Sequence, residues 1–352
     1  MGQILGLGIT HYPPLSYKGN MTGRIKLLLA DPLLPERWRT PAGWHPVMRE
    51  QWSTDEGAGH SDRHRNDLIH HFRKIRAELD AFEPDFVVLW GDDQYENFRE
   101  DCVPPFSILA YDSVDVQPWK AHRGENWWDE PKDKTFTITG HRAGAKHLAS
   151  ALLGDGVDVA YAYKPLHHPL GHAFVNSILY LDMDRKGFPY PVVPFAVNSY
   201  GRWLIGAHGA PMTPSQQAAR VAEGVELDPP GPQPWRCFQV GAAVARALAR
   251  SPWRVAVIAS SSWSHSFLVQ KHALMFPDVE SDRRYYEALR DGDWTTWRNT
   301  TIAEAEDRGH HELLNWFCLA GAMAELRRKP DESVFLESWI SNSDKVFAVF
   351  RP

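Results

Sequence analysis

The chain has 352 residues, a formal net charge of −6 and a pI near 6.3, so it has no general attraction to nucleic-acid phosphates. It contains no apolar run of about 18 residues and no signal-peptide pattern, so neither a membrane span nor export is expected. Its three cysteines are scattered, which is typical of a reducing compartment. We therefore expect a cytoplasmic protein that binds neither nucleic acid nor membranes.

Two apolar runs in the first part of the chain are typical of buried strands in a parallel sheet. Residues 4–10, ILGLGIT, end at His11, and residues 86–90, FVVLW, end at Gly91 and enter the polar loop DDQYENF. Strands covered by helices on both faces have such continuous apolar runs. Because ligands of these sheets bind beyond the carboxyl ends of the strands, both strand ends are candidate site positions.

The remaining pattern predicts one α/β domain over residues 1–352, with a mostly parallel central sheet flanked by helices. Helices are predicted at 61–82, 140–153 and 237–250 and as a broken pair within 301–327, and strands at 106–111, 157–163, 189–197 and 253–260. Stretches rich in Pro, Trp or Gly near 12–59, 99–135 and 207–234 are expected to be loop insertions. The tail is expected to form a strand pair around Asn342 and Ser343.

Four residues that suit metal or acid–base chemistry lie where an apolar element begins or ends: His11, His172, His265 and Glu312. Two histidines and one carboxylate on one face of a pocket form the ligand set of non-haem Fe(II) enzymes that activate O2. Zinc with three protein ligands and a water would instead suit a hydrolase. Spacing alone does not choose between these two metals.

Five motifs resemble, in the same order, those of the class III extradiol ring-cleavage dioxygenases, the family of the catalytic β subunit of protocatechuate 4,5-dioxygenase. They are GITHYPP at 8–14, PDFVVLWGDDQYENF at 84–98, GHAFVNSILYL at 171–181, SSSWSHSF at 260–267 and GHHELLNWFCLAGAM at 309–323. The resemblance covers most of the chain outside the insertions. It implies an enzyme of aromatic catabolism that opens a catechol- or gallate-type ring with O2.

The resemblance also implies roles for individual residues. Family members hold Fe(II) with a histidine after the first strand and a glutamate that opens a late helix, and these positions fall on His11 and Glu312. Two further family histidines that assist the chemistry fall on His172 and His265. His172 is expected to contact a substrate hydroxyl and His265 to transfer protons, although the two roles are exchangeable.

The sequence departs from the family at the second histidine ligand, where Gln94 stands. Because glutamine is a poor, neutral oxygen ligand, His60 or Asp93 is expected to complete the ligand set, with His60 ranked slightly ahead. The departure also leaves open weaker metal binding, another metal such as zinc or manganese, or an inactive relative. Gln94, Asn342 and Ser343 are candidate substrate-binding residues.

Two classes of function remain open from the sequence. One is a non-haem Fe(II) extradiol dioxygenase that takes a small aromatic diol and O2. The other is a metal-dependent hydrolase, or a non-catalytic metal- or ligand-binding relative, which Gln94 favours. Homo-oligomer formation and a requirement for a small second subunit are left open.

Overall fold

The computed structural model describes residues 2–122 and 124–352. The strands are β1 (Gln3–Ile9), β2 (Phe86–Asp92), β3 (Phe106–Leu109), β4 (Ser113–Val116), β5 (Phe136–Thr139), β6 (Ala160–Ala162), β7 (Val192–Val197), β8 (Arg254–Ser260), β9 (Glu332–Leu336) and β10 (Lys345–Phe350). Eight of them form the central sheet in the order β6-β3-β7-β2-β8-β1-β10-β9, and β4 pairs with β5 separately. The central strands β7, β2, β8 and β1 are mutually parallel, which confirms the predicted α/β class with a mostly parallel sheet.

Helices cover both faces of this sheet. They are α1 (Gly23–Leu29), α2 (Pro46–Trp52), α3 (Ala58–Phe82), α4 (Arg142–Gly154), α5 (His172–Leu181), α6 (Pro214–Ala222), α7 (Pro234–Ala249), α8 (Val279–Asp291), α9 (Trp294–Arg298), α10 (Ile302–Asp307) and α11 (Leu314–Glu325). On one face α4, α7 and α11 pack against Val88, Trp90 and Val257. On the other face α3 and α5 pack against Leu89 and Ile258. None of the described helices is long and apolar enough to cross a membrane.

The insertions contain more regular structure than the sequence suggested. The stretch 12–59 includes α1 and α2, whose apolar side chains build a separate cluster with Met275 and Trp339. The stretch 207–234 includes α6. Strand β3, assigned to the insertion at 99–135, belongs to the central sheet. The helices α8 and α9 were not predicted, since their polar faces hide the apolar spacing.

The broken helical pair and the terminal strand pair occur as predicted. Gly309 has a φ of +68° and separates α10 from α11, a conformation that glycine adopts without strain. The strands β9 and β10 are antiparallel, and the segment between them includes Asn342 and Ser343. Glu312 therefore lies in the short connection just before α11.

The close approach of α7 and α11 generates a stability prediction. In Gly321→Ala the new Cβ would lie 1.9 Å from the Phe238 carbonyl oxygen, so the backbone must move, and we expect a loss of about 1–3 kcal/mol. Gly154→Ala at the end of α4 is the matched control, because nothing lies within 4 Å of its Cβ. Helix propensity predicts no loss of stability there. Urea unfolding compares the two, and equal unfolding midpoints would contradict the packing argument.

Candidate active site

The functional side chains meet at the carboxyl ends of three neighbouring parallel strands. In the register of the sheet, Ile9 of β1 pairs with Ser260 of β8, and Trp90 of β2 pairs with Ala259. His11 and Asp92 are therefore delivered to the same level, on either side of the end of β8. Glu312 joins them from the connection before α11, where its carbonyl accepts a hydrogen bond of 2.8 Å from the Ser261 hydroxyl.

His11 is oriented by the strand beside it. Its Nδ1–H donates to the Ser260 carbonyl at 3.0 Å, which leaves the lone pair of Nε2 facing the site. Nε2 lies 3.3 Å from Asp92 Oδ1 and 3.4 Å from Glu312 Oε2. All three side chains are buried, with exposed fractions of 2% or less.

This arrangement fits a bound cation. Asp92 Oδ1 and Glu312 Oε2 are buried and have no hydrogen-bond partner within the described residues. Two carboxylate oxygens and an imidazole lone pair are all acceptors, and a metal ligand of this kind is typically fixed through its other nitrogen. Potential ligand atoms of His11, Asp92 and His172 also lie within 4.8 Å of one another. The residues at the strand ends thus have the donor set of a metal centre.

Gln94 holds the two carboxylates in place. Its side-chain amide donates to Asp92 Oδ2 at 2.8 Å and to Glu312 Oε1 at 3.1 Å. The oxygens that it contacts are the ones pointing away from His11, so the unpartnered oxygen of each carboxylate stays turned toward His11 Nε2. In this structure Gln94 supports the ligands and does not itself replace the family histidine.

His172 forms a buried ion pair with Glu96. Its Nδ1–H donates to Glu96 Oε2 at 2.9 Å, and its backbone N–H donates to the same carboxylate. Burial alone would lower the pKa of His172, but Glu96, followed by Asp92 and Glu312, raises it to about 10. Its ring stands edge-on to His11, with centroids 5.2 Å apart. His172 therefore presents Nε2–H, a donor, to the site.

His265 lies beside Glu312 and differs from His172 in charge state. Its Nδ1–H donates to the Trp263 carbonyl at 2.8 Å, and Nε2 lies 3.4 Å from Glu312 Oε1. Burial, and then the neighbouring His11, lower the pKa of His265 well below its usual range. Burial and Asp92 raise the pKa of Glu312 to about 6. His265 is thus a neutral imidazole that can accept a proton through Nε2.

The two predicted replacement ligands occupy other positions. Asp93 turns away from His11 and accepts backbone N–H groups of residues 96, 97 and 98, with distances of 3.1, 2.8 and 3.3 Å. His60 lies on α3, where its Nε2 is 2.9 Å from the Ser338 hydroxyl. The geometry gives no support to either as a ligand. Asp92, which was not predicted, is the carboxylate of this loop that lies beside His11.

The site opens into a cleft of about 490 Å³. Segment 12–24 forms one wall of this cleft, together with Tyr200 and Phe267. Of the predicted substrate-binding residues, Gln94 and Asn342 line the cleft. Ser343 is buried and forms an isolated β-bridge with His265, so it lies behind the catalytic loop and does not line the cleft.

No role was predicted for Asp92 or Glu96, two acidic residues of the motif that spans the end of β2 and the loop after it. Asp92 is the last residue of β2 and falls on the same strand face as Val88 and Trp90, because side chains alternate along a strand. Extending the predicted strand 86–90 by two residues would have placed Asp92 in the strand and Asp93 in the turn that follows it. Glu96 had no comparable signal, since only the folded loop brings it to His172.

Residues 224–348 match a family model described as the catalytic LigB subunit of aromatic ring-opening dioxygenase. That segment includes His265 and Glu312, whereas His11, Asp92 and His172 precede it.

Curated relatives cover more of the chain. One from Paraburkholderia xenovorans (strain LB400), named 2,3-dihydroxyphenylpropionate/2,3-dihydroxicinnamic acid 1,2-dioxygenase, is 33% identical over 190 residues, or 54% of this chain and 46% of that protein. This alignment spans less than half of that relative's length. Proteins of the same name from Burkholderia vietnamiensis (strain G4 / LMG 22486) and Rhodococcus rhodochrous are 26% and 25% identical over 72% of this chain, covering 79% and 80% of their lengths.

A mostly parallel α/β sheet with histidine and carboxylate donors at its strand ends defines a candidate metal-binding protein of the α/β class. The family match over residues 224–348 and the low-identity relatives support a relationship to the class III extradiol dioxygenases, the family that the sequence motifs resemble.

The neighbouring carboxylates Asp92 and Asp93 give a matched test of the centre. We expect Asp92→Asn to weaken metal binding by at least ~10-fold, since it removes a charged oxygen beside His11. Asp93→Asn should keep the metal but lose about 1–2 kcal/mol of stability, because one acceptor for the loop N–H groups is replaced. Metal analysis after reconstitution and thermal unfolding measure both effects. Equal metal contents in the two variants would exclude Asp92 as a ligand.

Proposed function

We propose that this protein is a non-haem Fe(II) extradiol dioxygenase that opens the ring of an aromatic vicinal diol with O2. The observation that carries the proposal is the convergence of His11 Nε2, Asp92 Oδ1 and Glu312 Oε2 at the inner end of an open cleft. Support comes from the family match and from relatives named as dioxygenases of dihydroxylated phenylpropionates.

In this proposal His11, Asp92 and Glu312 hold the iron, and Gln94 orients the two carboxylates. Bound Fe(II) would supply adjacent coordination positions for the diol oxygens and O2. Burial keeps bulk water from these groups, and the hydrogen bonds of His11 to the Ser260 carbonyl and of Gln94 to the two carboxylates fix them before substrate arrives. The protein's contribution is therefore a preorganised set of buried ligand atoms at the inner end of the cleft.

The two remaining histidines divide the proton transfers. His265, held neutral by burial, takes a proton from a substrate hydroxyl through Nε2. His172, held as the imidazolium by Glu96, donates one through its Nε2–H. General acid–base catalysis of this kind accelerates reactions by about 10²- to 10⁴-fold.

A metal-dependent hydrolase is the second candidate, and the donor set is the observation that favours it. One imidazole with two carboxylates is richer in oxygen than the two-histidine, one-carboxylate set of O2-activating iron. Such a set also suits manganese, and with a bound water it suits zinc. In that case the buried carboxylates would activate the water and O2 would play no part.

Metal-dependent oxygen uptake distinguishes the two candidates. Protein purified without oxygen is reconstituted with Fe(II), Mn(II) or Zn(II) and assayed with a panel of catechols for O2 consumption and a ring-opened product. The dioxygenase proposal predicts uptake of one O2 per diol only with a redox-active metal. Ester or amide hydrolysis by the zinc form, with no uptake by any form, would support the hydrolase.

The role of His265 gives a kinetic prediction. His265→Ala should lower turnover by about 10²- to 10⁴-fold while iron content stays constant, because it removes the proton acceptor and no ligand. His70→Ala on the exposed face of α3 is the control and should keep full activity. A fall in iron content parallel to the fall in turnover would make His265 a ligand.

A further inference from the structure

Arg24, at the start of α1, is a cation that lines the cleft without a carboxylate partner among the described residues. One guanidinium N–H donates to the Met212 carbonyl at 3.1 Å. The guanidinium carbon lies 5.3 Å from the centre of the Phe267 ring. Its Nε is buried and has no hydrogen-bond partner in the described part of the chain. Arg24 therefore has donor capacity that the protein does not use.

The other cations in the cleft wall already have carboxylate partners. Lys18 pairs with Asp129 and lies 3.9 Å from Glu125, and the His172 imidazolium pairs with Glu96. Holding a guanidinium away from water without a counter-charge is unfavourable unless a ligand supplies that charge. In agreement, burial lowers the pKa of Arg24 to about 10, although Tyr200 opposes this effect. The unbalanced positive charge of the cleft is thus concentrated on Arg24.

Tyr200 links this cation to the metal-binding end of the cleft. Burial, and then Glu312 and Asp92, raise the pKa of Tyr200 well above its usual range, and Arg24 acts on the same phenol in the opposite direction. The carboxylates at one end of the cleft and Arg24 therefore both act on the ionisation of Tyr200, which lies in the cleft wall. Arg24 and the metal-binding residues line one cleft of about 490 Å³, a volume that is sufficient for an aromatic ring with a short substituent.

We propose that Arg24 binds a carboxylate on the substrate, so that the preferred substrate is an aromatic diol with an acidic substituent; this inference rests on the proposed function. Arginine suits the task because its planar fork forms two parallel charge-assisted hydrogen bonds to a carboxylate. Phe267, against the guanidinium, keeps the fork in the cleft. The diol end of the ligand then faces His11 and Glu312.

The experiment is anaerobic calorimetry, which measures binding without turnover. Two ligands are compared, 2,3-dihydroxyphenylpropionate and its primary amide, which differ only in the negative charge. The variants are Arg24→Gln and, as a matched control on the same helix, Lys26→Gln, whose ammonium is exposed and pairs with Glu56. Wild type and Lys26→Gln should prefer the acid. Arg24→Gln should weaken acid binding by ~10- to 100-fold and leave amide binding unchanged.

The possible outcomes separate the two proposals. Equal weakening of acid and amide in Arg24→Gln, with a lower unfolding temperature, would mean that Arg24 only ties α1 to the Met212 segment, and the anion site would be overturned. Equal affinity of wild type for acid and amide would also overturn it. An acid preference that depends on Arg24, in a protein that never consumes O2, would support the anion site and reject the dioxygenase. Ring opening with an acid preference that is unchanged in Arg24→Gln would support the dioxygenase and reject the anion site at Arg24.

Discussion

The rest of the structure depends on one electrostatic constraint, the burial of three acceptor atoms that face one another. His11 Nε2 lies 3.3 and 3.4 Å from two carboxylate oxygens that no donor among the described residues satisfies. Burial and the neighbouring Asp92 disfavour the ionisation of Glu312, as its raised pKa reflects. A divalent cation would remove this conflict, and its binding free energy would then add to the stability of the folded state. The site is therefore unfavourable without a metal and would be a source of stability with one.

The sheet makes this convergence possible. The strands β1 and β2 do not pair with each other, and both pair with β8, which places their carboxyl ends on either side of Ser260. The helices approach these ends closely because glycines face them. A Cβ at Gly8 would lie 2.1 Å from Trp316, and one at Gly91 would lie 3.0 Å from Phe174. Side chains at these two positions would push α11 and α5 outward, and Glu312 and His172 would move with them.

The sequence predicted the sheet and the strand-end histidines because local pattern determines them. It named Asp93 as a candidate ligand, whereas the structure places the Asp92 side chain beside His11, a difference of one residue of register at the end of β2. Asp92 continues the strand, whereas Asp93 begins a turn by accepting N–H groups from residues 96, 97 and 98, a local bond that aspartate forms readily. The helices α1 and α2 were missed for another reason. Their apolar residues pack with Met275 and Trp339, more than two hundred positions away, and a Pro-rich segment gives no local sign of such partners.

The charges at the two ends of the cleft together determine how a ligand can enter. A divalent cation would balance Asp92 and Glu312, so that end would accept the oxygens of a diol without repelling them. The other end keeps the positive charge of Arg24, which no residue of the described chain neutralises. A ligand that entered in reverse would leave that half-buried guanidinium unpaired and would place its hydroxyls against a donor that favours anions. Leaving a charge unpaired away from water is unfavourable. The cleft therefore favours the orientation in which the anionic group of the ligand faces Arg24, because the reverse orientation leaves the guanidinium without a partner.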